Sequence, residues 1–477
     1  MRTSRKTFAL LIVSALAVAL LPATALAQMT AKIVRITGNP QQATITNPTG
    51  ARSAPAVNLP VVEGSIIETR AGVDLYVETF PGAVATIRQN SLVKLSGLRL
   101  LSTGADAGKR QAELELERGK IISTLDPTKQ AITKYGIKTP RGVAAARGTV
   151  YGVSAVASGT SAFVVDGNIV IDLGPGQPPL SIPYGQAALD NAGSATALAA
   201  LVQGSPELAA DLLAAVQILA ANVAANTSAV GGPDVATAML QAVTTAVVTA
   251  LPGQAGAVVQ TLVSAIVTPG SATSGSQQTM LNAITAVTSA AAQAVAAAGG
   301  TLTQSAGAAQ GAAQAVAQIA PGGAGSGTVV GLLSAIGDVV AAAAIQGAGG
   351  NNAGLITSTV ANAVTAGAAT GSGTPPVVSI VATPNPGTGT IVVTTTVTVG
   401  DAGTGNNASS TTTISNAGLG AVTTQINTPG GSSTLTSTPP AGTPPRPGQN
   451  NVSPPAQTTI TPFAPIDPSA NVSPSGL

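Results

Sequence analysis

Three glutamates at alternate positions, Glu113, Glu115 and Glu117, form an acidic row in this sequence. In a β-strand such positions share one face, so the three carboxylates could together bind a hard cation. A solvated strand face explains the same spacing, and we favour it because no Asp-rich loop has EF-hand spacing. A hydrolase that uses only carboxylates stays an alternative, although nothing in the sequence indicates the cleft that a glycosidase needs.

The sequence contains no cysteine and no histidine. Thiol nucleophiles, Ser-His-Asp triads and Cys/His zinc sites are therefore excluded, and disulfide bonds cannot form. We predict a protein that is not an enzyme and that holds no cofactor and no metal ion.

The run YGIKTPRGVAAARGTVYGV, residues 135–153, predicts two short strands that meet at Arg147, Gly148 and Thr149. The Arg147 guanidinium could contact an acidic partner, but we expect it to bond neighbouring carbonyls and fix a strand crossing. Gly148 gives the backbone freedom at the turn, and Thr149 suits the start of a strand.

Charge is scarce and unevenly distributed along the 477 residues. Charged residues make up 8% of the chain, against about 25% in an average protein. Residues 28–190 carry 16 Lys/Arg and 12 Asp/Glu, whereas residues 191–477 carry only Arg446 and six acids. The basic balance of the front segment is small, and we expect no nucleic-acid partner.

The N-terminus has the pattern of a secretory signal peptide. Arg2, Arg5 and Lys6 precede the apolar run Phe8–Leu21, and Ala25-Leu26-Ala27 gives small residues before a cleavage site at Gln28. We predict that residues 1–27 export the protein to the periplasm or the cell surface. An uncleaved anchor is the alternative, which we favour less because the apolar run is short for a membrane span.

Residues 28–190 predict an all-β domain. Every second side chain is aliphatic in residues 73–78 and in residues 112–117, as in strands with one buried and one solvent-exposed face. Asp166-Gly167 predicts a two-residue hairpin, and Arg118-Gly119 predicts another turn. Many short strands separated by such turns indicate a sandwich, a roll or a solenoid-like domain.

Residues 191–370 change to a helical period. Apolar residues recur every three or four positions in five segments, which predict helices at about 206–225, after Pro233, and at about 253–267, 278–298 and 328–345. Their alanine-rich faces bury little area each, so close packing of small residues or assembly with other chains must compensate. The apolar run at 329–345 contains Asp338, and we expect no membrane-spanning helix.

Residues 371–477 are rich in Thr, Ser, Pro and Gly, and we predict a mostly disordered tail. Thr390–Val399 is the exception, because it is uncharged, free of proline and prone to form a strand. It predicts either a hairpin with Val377–Val381 or a segment through which the tail self-associates.

Five motifs, in order, give residues 60–190 a resemblance to the FecR-type extracytoplasmic domain. They are VEGSIIET (62–69), AVATIRQNSLVKL (83–95), the stretch Leu114–Leu125, IKTP (137–140) with ARGTVYGV (146–153), and the stretch Phe163–Ile171 with PYGQ (183–186). Ala146 stands where the family usually has a branched residue, and Tyr151 stands where it usually has Phe. The residues that match the family signature are Gly64, Thr69, Ser91, Gly119, Thr139, Pro140, Arg147, Gly148, Thr149, Gly167, Gly185 and Gln186.

The resemblance implies an all-β fold and no catalytic residue. Known members are inner-membrane regulators that sense an outer-membrane transporter and control a sigma factor. We do not transfer the anti-sigma role, because the sequence shows neither a cytoplasmic segment nor a clear membrane span. We predict a non-enzymatic binding module for an envelope protein or a surface polymer. The alternative is a structural or adhesive protein whose tail drives assembly.

Overall fold

The structure is a computed structural model that describes residues 29–100, 109–146, 150–157, 159–174, 177–190, 192–319, 327–348, 350, 352–369, 376–385, 390–399, 406–415, 422–428 and 431–437. The predicted signal peptide and the trio Arg147, Gly148 and Thr149 lie outside these residues.

The front of the chain is β-rich, as predicted. Its strands are β1 (Ala31–Gly38), β2 (Ala43–Thr46), β3 (Arg52–Ser53), β4 (Pro60–Val61), β5 (Ile66–Thr69), β6 (Val73–Phe80), β7 (Ala83–Ile87), β8 (Leu92–Leu100), β9 (Arg110–Leu125), β10 (Thr133–Thr139), β11 (Gly142–Ala146), β12 (Val150–Val156), β13 (Gly159–Asp166), β14 (Ile169–Asp172), β15 (Leu180–Ile182), β16 (Gln186–Ala188) and β17 (Thr196–Ala197).

These strands form two sheets that share the long strand β9. The first sheet has the order β4-β1-β6-β7-β9-β12-β13-β16-β17. The second has the order β3-β2-β5-β8-β9-β10-β11-β14-β15. Neighbours are antiparallel except β9 and β10, which are parallel. Both sheets contribute aliphatic side chains, such as Leu75 and Leu114, to one apolar core.

Strand β9 corrects the predicted turn at Arg118-Gly119. The chain continues as one strand through both residues and bends at Gly119, whose φ is +95°. Residues 110–118 pair in the second sheet and residues 119–125 in the first. The bend therefore carries the strand from one sheet to the other. The residues Arg118-Gly119 alone do not show whether the chain bends in this way or turns back as a hairpin.

The hairpin predicted at Asp166-Gly167 is also wrong. Strand β13 before it pairs with β12 and β16 in the first sheet, and β14 after it pairs with β11 and β15 in the second. The Gly167 φ of +74° thus makes a corner between two sheets. A true two-residue hairpin lies at Pro140-Arg141, between β10 and β11, where no turn was predicted.

The middle of the chain is helical, as predicted. The helices are α1 (Leu198–Leu201), α2 (Pro206–Ala224), α3 (Pro233–Ala250), α4 (Ala255–Ile266), α5 (Gln277–Ala297), α6 (Leu302–Ile319), α7 (Gly327–Gly347) and α8 (Ala353–Ala368). Five of them match predicted segments. Helix α2 begins at the predicted cap, where the Leu208 amide donates to Ser205 Oγ at 3.3 Å.

Helices α2 to α8 pack as two rows, which we call the helical array. Helices α2, α4, α6 and α8 contact one another in sequence, and α3, α5 and α7 form the second row. Glycines let neighbouring helices of the first row approach closely: a Cβ built on Gly311 of α6 would lie 2.2 Å from the Gly256 carbonyl oxygen of α4. Close packing of small residues therefore provides the compensation that the sequence required.

A five-stranded antiparallel sheet follows the helical array, which corrects the prediction of a mostly disordered tail for these residues. We call it the C-terminal sheet; its strands are β18 (Val377–Asn385), β19 (Thr390–Val399), β20 (Asn406–Ser415), β21 (Val422–Thr428) and β22 (Gly431–Ser437). The predicted hairpin is confirmed, because Val377 pairs with Thr398 and Asn385 with Thr390. The inner face of the sheet packs on α7 and α8. The composition of residues 371–477 resembles that of a linker and does not indicate this packing.

The predicted localisation is wrong. Among the described residues, three helical segments are long and apolar enough to cross a membrane, by length and composition: Pro206–Ala224, Gln277–Ala297 and Val329–Gly347. One aspartate, Asp338, leaves the mean hydropathy of the last segment at 1.9 and does not disqualify it. The expectation of a periplasmic or surface protein without a candidate span is therefore withdrawn.

Candidate binding cleft

Three signature residues meet where β9 bends, and they stabilise the fold. The Thr69 hydroxyl donates to the Arg88 carbonyl at 2.6 Å and accepts from the Ser91 amide at 3.0 Å. Ser91 Oγ in turn accepts from the Lys120 amide at 3.0 Å. A Cβ on Gly119 would lie 2.2 Å from Ser91 Oγ, so only glycine fits beside this buried hydroxyl.

The other described signature residues also lie in turns and crossings. The Thr139 hydroxyl closes the Pro140-Arg141 hairpin by donating to the Gly142 carbonyl at 3.1 Å. Residues Gly64, Gly167 and Gly185 have φ values of +87°, +74° and +71°, and Gln186 begins β16. The roles predicted for Arg147, Gly148 and Thr149 fall outside the described residues.

The acidic row lies on the outer face of the second sheet. Glu115 forms an ion pair with Lys138 at 3.3 Å, and Glu113 accepts from Ser96 Oγ at 3.2 Å. Glu117 is exposed. Within the described ranges no group of three or more Asp, Glu, His or Cys residues could hold a metal ion.

A cleft of about 370 Å³ opens between the first sheet and the start of α2. One wall comes from β9, β12 and β13, and the other from the segment that leads into α2. Its lining residues are Lys120, Ile121, Ile122, Gly152, Val153, Ser154, Val156, Ser161, Ala162, Phe163, Leu189, Asp190, Gly204, Ser205, Pro206, Glu207, Leu208 and Asp211. The volume falls in the range of small-molecule and peptide side-chain pockets.

The charged groups of the cleft are mostly acidic. Lys120 Nζ donates to both Asp211 carboxylate oxygens, at 2.9 and 2.8 Å. Glu207 lies 3.9 Å from the same ammonium and is 82% exposed, and Asp190 completes the set. One lysine and three carboxylates leave a net charge of −2, which favours a cationic group in the cleft.

The apolar wall of the cleft depends on Gly152. A Cβ at that position would lie 2.2 Å from the Phe163 ring, so the glycine leaves room for the ring to lie across β12. Val156, which is 46% exposed, also lines the cleft. The cleft therefore combines an apolar surface with acidic groups. It lacks the histidine or cysteine that would activate a nucleophile.

Polar contacts also join the front segment to residues of the helical region. Asn222 of α2 donates to Thr124 Oγ1 at 3.1 Å, and the Tyr184 hydroxyl donates to the Ala242 carbonyl of α3 at 2.9 Å. The Gly82 amide donates to Ser228 Oγ at 2.8 Å, and Ser228 donates to Glu78. Lys120, Glu207 and Asp211 were not predicted from the sequence, because Lys120 and Asp211 lie 91 positions apart and no local pattern joins them.

Residues 65–170 match the family model described as FecR protein. This segment is a FecR domain. It contains strands β5 to β13 and therefore supplies one wall of the cleft. The other wall, from Leu189 to Asp211, lies beyond the matched residues.

Two solved structures are similar to part of this chain. Both are crystal structures of a putative anti-sigma factor from Parabacteroides distasonis ATCC 8503, with 14% and 13% sequence identity and TM-scores of 0.21 and 0.22. Each match covers 28% of this chain and 57% of the other chain, so the similarity spans little more than half of those proteins. No curated protein matches the chain.

Proposed function

We propose that this protein is a non-enzymatic binding protein whose FecR domain and α2 together hold a basic, partly apolar segment of another protein. The observation that carries the proposal is the cleft of about 370 Å³ with a net charge of −2 and an apolar wall at Phe163. A lysine or arginine of the partner would face Glu207 and Asp190, and its aliphatic stem would lie along Val156. A binding role agrees with the absence of histidine and cysteine.

The remaining faces of the FecR domain favour this cleft as the contact point. The outer face of the first sheet packs against the helical array through side chains such as Tyr76 and Phe163. The outer face of the second sheet carries cross-strand ion pairs, Lys138–Glu115 and Arg118–Glu68 among them. Such paired, solvated charges add little affinity. The cleft offers both apolar area and charge that a partner can complement.

The proposal is tested with full-length protein and fluorescent peptides of equal hydrophobicity but different charge, with affinity measured by anisotropy. We expect basic peptides to bind and acidic ones not to bind. Glu207→Gln removes one acidic group at the rim and should weaken binding about two- to fivefold. Val156→Lys adds a positive charge on the apolar side and should weaken it further.

The matched control is Glu117→Gln, which removes an exposed carboxylate from the second sheet and should leave the affinity unchanged. Binding should also weaken as salt rises. Equal affinity for acidic and basic peptides, or binding that neither cleft variant alters, would refute the proposal.

A further inference from the structure

Strand β18 lies at one end of the C-terminal sheet. It pairs with β19 over nine consecutive positions, from Val377 with Thr398 to Asn385 with Thr390. Among the strands that the structure describes, none pairs with its opposite edge. The peptide groups along that edge are therefore placed to accept a further strand.

This edge has few of the features that usually prevent strand pairing. Sheet edges are commonly protected by lysine, by a bulge or by proline. Strand β18 has no charged residue, its register is continuous, and its one proline, Pro384, is next to its last residue. The only charged residue from 235 to 400 is Asp338, which is fully buried and cannot repel an approaching strand.

The two faces of β18 differ in a way that suits an added strand. Val377 and Val381 on the outer face are 70% and 55% exposed. On the inner face Ile380 is buried, and Val378 and Ala382 are partly buried against the core of the helical array. A strand added at this edge would place side chains next to Val377 and Val381 on the outer face. On the inner face it would cover the partly buried Val378 and Ala382.

A second copy of β18 fits this edge better than a strand of different sequence, because the segment is complementary to itself. Antiparallel pairing about Ile380 sets Val377 opposite Thr383 and Ser379 opposite Val381. These are β-branched and hydroxyl pairs of the kind that stabilise sheets, and no like charges meet. Such a two-fold interface is closed, so it produces a dimer and not a fibre.

We propose that two copies of this protein associate by pairing their β18 strands antiparallel, which joins the two C-terminal sheets into one. The interface is distinct from the cleft, because none of its residues lines the cleft. A failure of peptide binding and a failure of dimerisation are therefore separate outcomes.

Light scattering coupled to size exclusion measures the protein mass of the full chain, with and without detergent, over a range of concentrations. We expect a dimer that dissociates on dilution. Val377→Lys with Val381→Lys sets like charges around the two-fold axis and should raise the dimer dissociation constant roughly tenfold or more. Val57→Lys, at a residue of the front segment that is 54% exposed, is the matched control and should stay dimeric.

A second measurement depends on the chain having no cysteine of its own. A spin label on Val381→Cys should show dipolar broadening that disappears on mixing with unlabelled protein, whereas a label on Val57→Cys should show none. Circular dichroism checks that the lysine variant is folded. A wild-type chain that is monomeric at all concentrations, or a folded lysine variant that remains a dimer, would overturn the proposal.

Discussion

At the scale of single residues, the described signature positions of the FecR domain shape the backbone and do not line the cleft. Thr69, Ser91 and Gly119 hold the bend of β9, and Gly167 turns the chain from one sheet to the other. The polar residues of the cleft are different ones, and they follow from how the front segment meets α2.

Asp166, just before the Gly167 corner, should make stability depend on pH. Burial raises the pKa of its carboxyl from 3.8 to about 7, partly opposed by the hydrogen bond from the Gly167 amide. From pH 4 to 7 the folded state therefore holds a proton that the unfolded state has lost, so the free energy of unfolding falls as pH rises through this window. Asp166→Asn should reduce that dependence.

Urea denaturation at several pH values measures this effect. The control Asp234→Asn removes a carboxylate from the exposed start of α3 and should keep the wild-type decline between pH 4 and 7. An Asp166→Asn variant with the same decline as wild type would contradict the assignment.

At the scale of elements, glycine and buried polar groups decide how the helices and the C-terminal sheet meet. Gly337 of α7 lies close to Thr395 and Ile380, so the sheet rests almost directly on the helix backbone. Beside it, the buried Asp338 accepts hydrogen bonds from Thr395, at 3.2 Å, and from Thr412. This carboxylate sets where the sheet sits on α7, because a displaced sheet would leave it buried without partners.

Gly311→Ala should destabilise the helical array. The added Cβ would lie 2.2 Å from the Gly256 carbonyl oxygen of α4, and backbone atoms cannot yield as a flexible side chain can. We expect the free energy of unfolding to fall by about 1–3 kcal/mol, as for overpacked cores.

Gly354→Ala is the matched control, because nothing lies within 4 Å of the Cβ it would add near the start of α8. That change should be neutral or slightly stabilising. Urea denaturation compares the two variants, and equal stability for both would show that the α4–α6 approach is not tight.

At the scale of the whole molecule, one apolar core runs from the first sheet through the helical array to the C-terminal sheet. Tyr76, Phe163 and Val165 of the FecR domain, Leu219 and Val243 of the helices and Val393 of the C-terminal sheet belong to the same cluster. The front segment therefore does not bury all of its apolar surface alone. Its first sheet is apolar on both faces because the helices cover the outer one.

A chain that ends at residue 192 should consequently be less stable than the same segment in the full protein. Loss of the helices exposes Tyr76, Ile122 and Phe163, so we expect binding of a hydrophobic dye and faster amide exchange in β6, β7, β12 and β13. A chain that ends at Ser437 is the control. Equal protection and no dye binding would show that the front segment folds independently.

Local patterns in the sequence were enough to predict the type of most elements, because strand and helix periods, caps and breakers are local properties. The alternation around Leu114, the cap at Ser205 and the strand at Thr390–Val399 were all predicted from neighbouring residues. Helices α6 and α8 were not predicted: α6 is composed mainly of alanine, glycine and glutamine, whereas α8 does carry a stripe at four-residue spacing, Ile356, Val360 and Val364. The order of the motifs also predicted the FecR domain.

Only the tertiary structure decided which elements meet. It showed that β9 belongs to two sheets, that β13 and β14 lie in different ones, and that Lys120 pairs with Asp211 to form the cleft. These contacts join residues far apart in the chain, and they depend on how faces pack against each other. A local pattern records which face of an element is apolar, but the partner that covers this face is chosen by the fit of the whole fold.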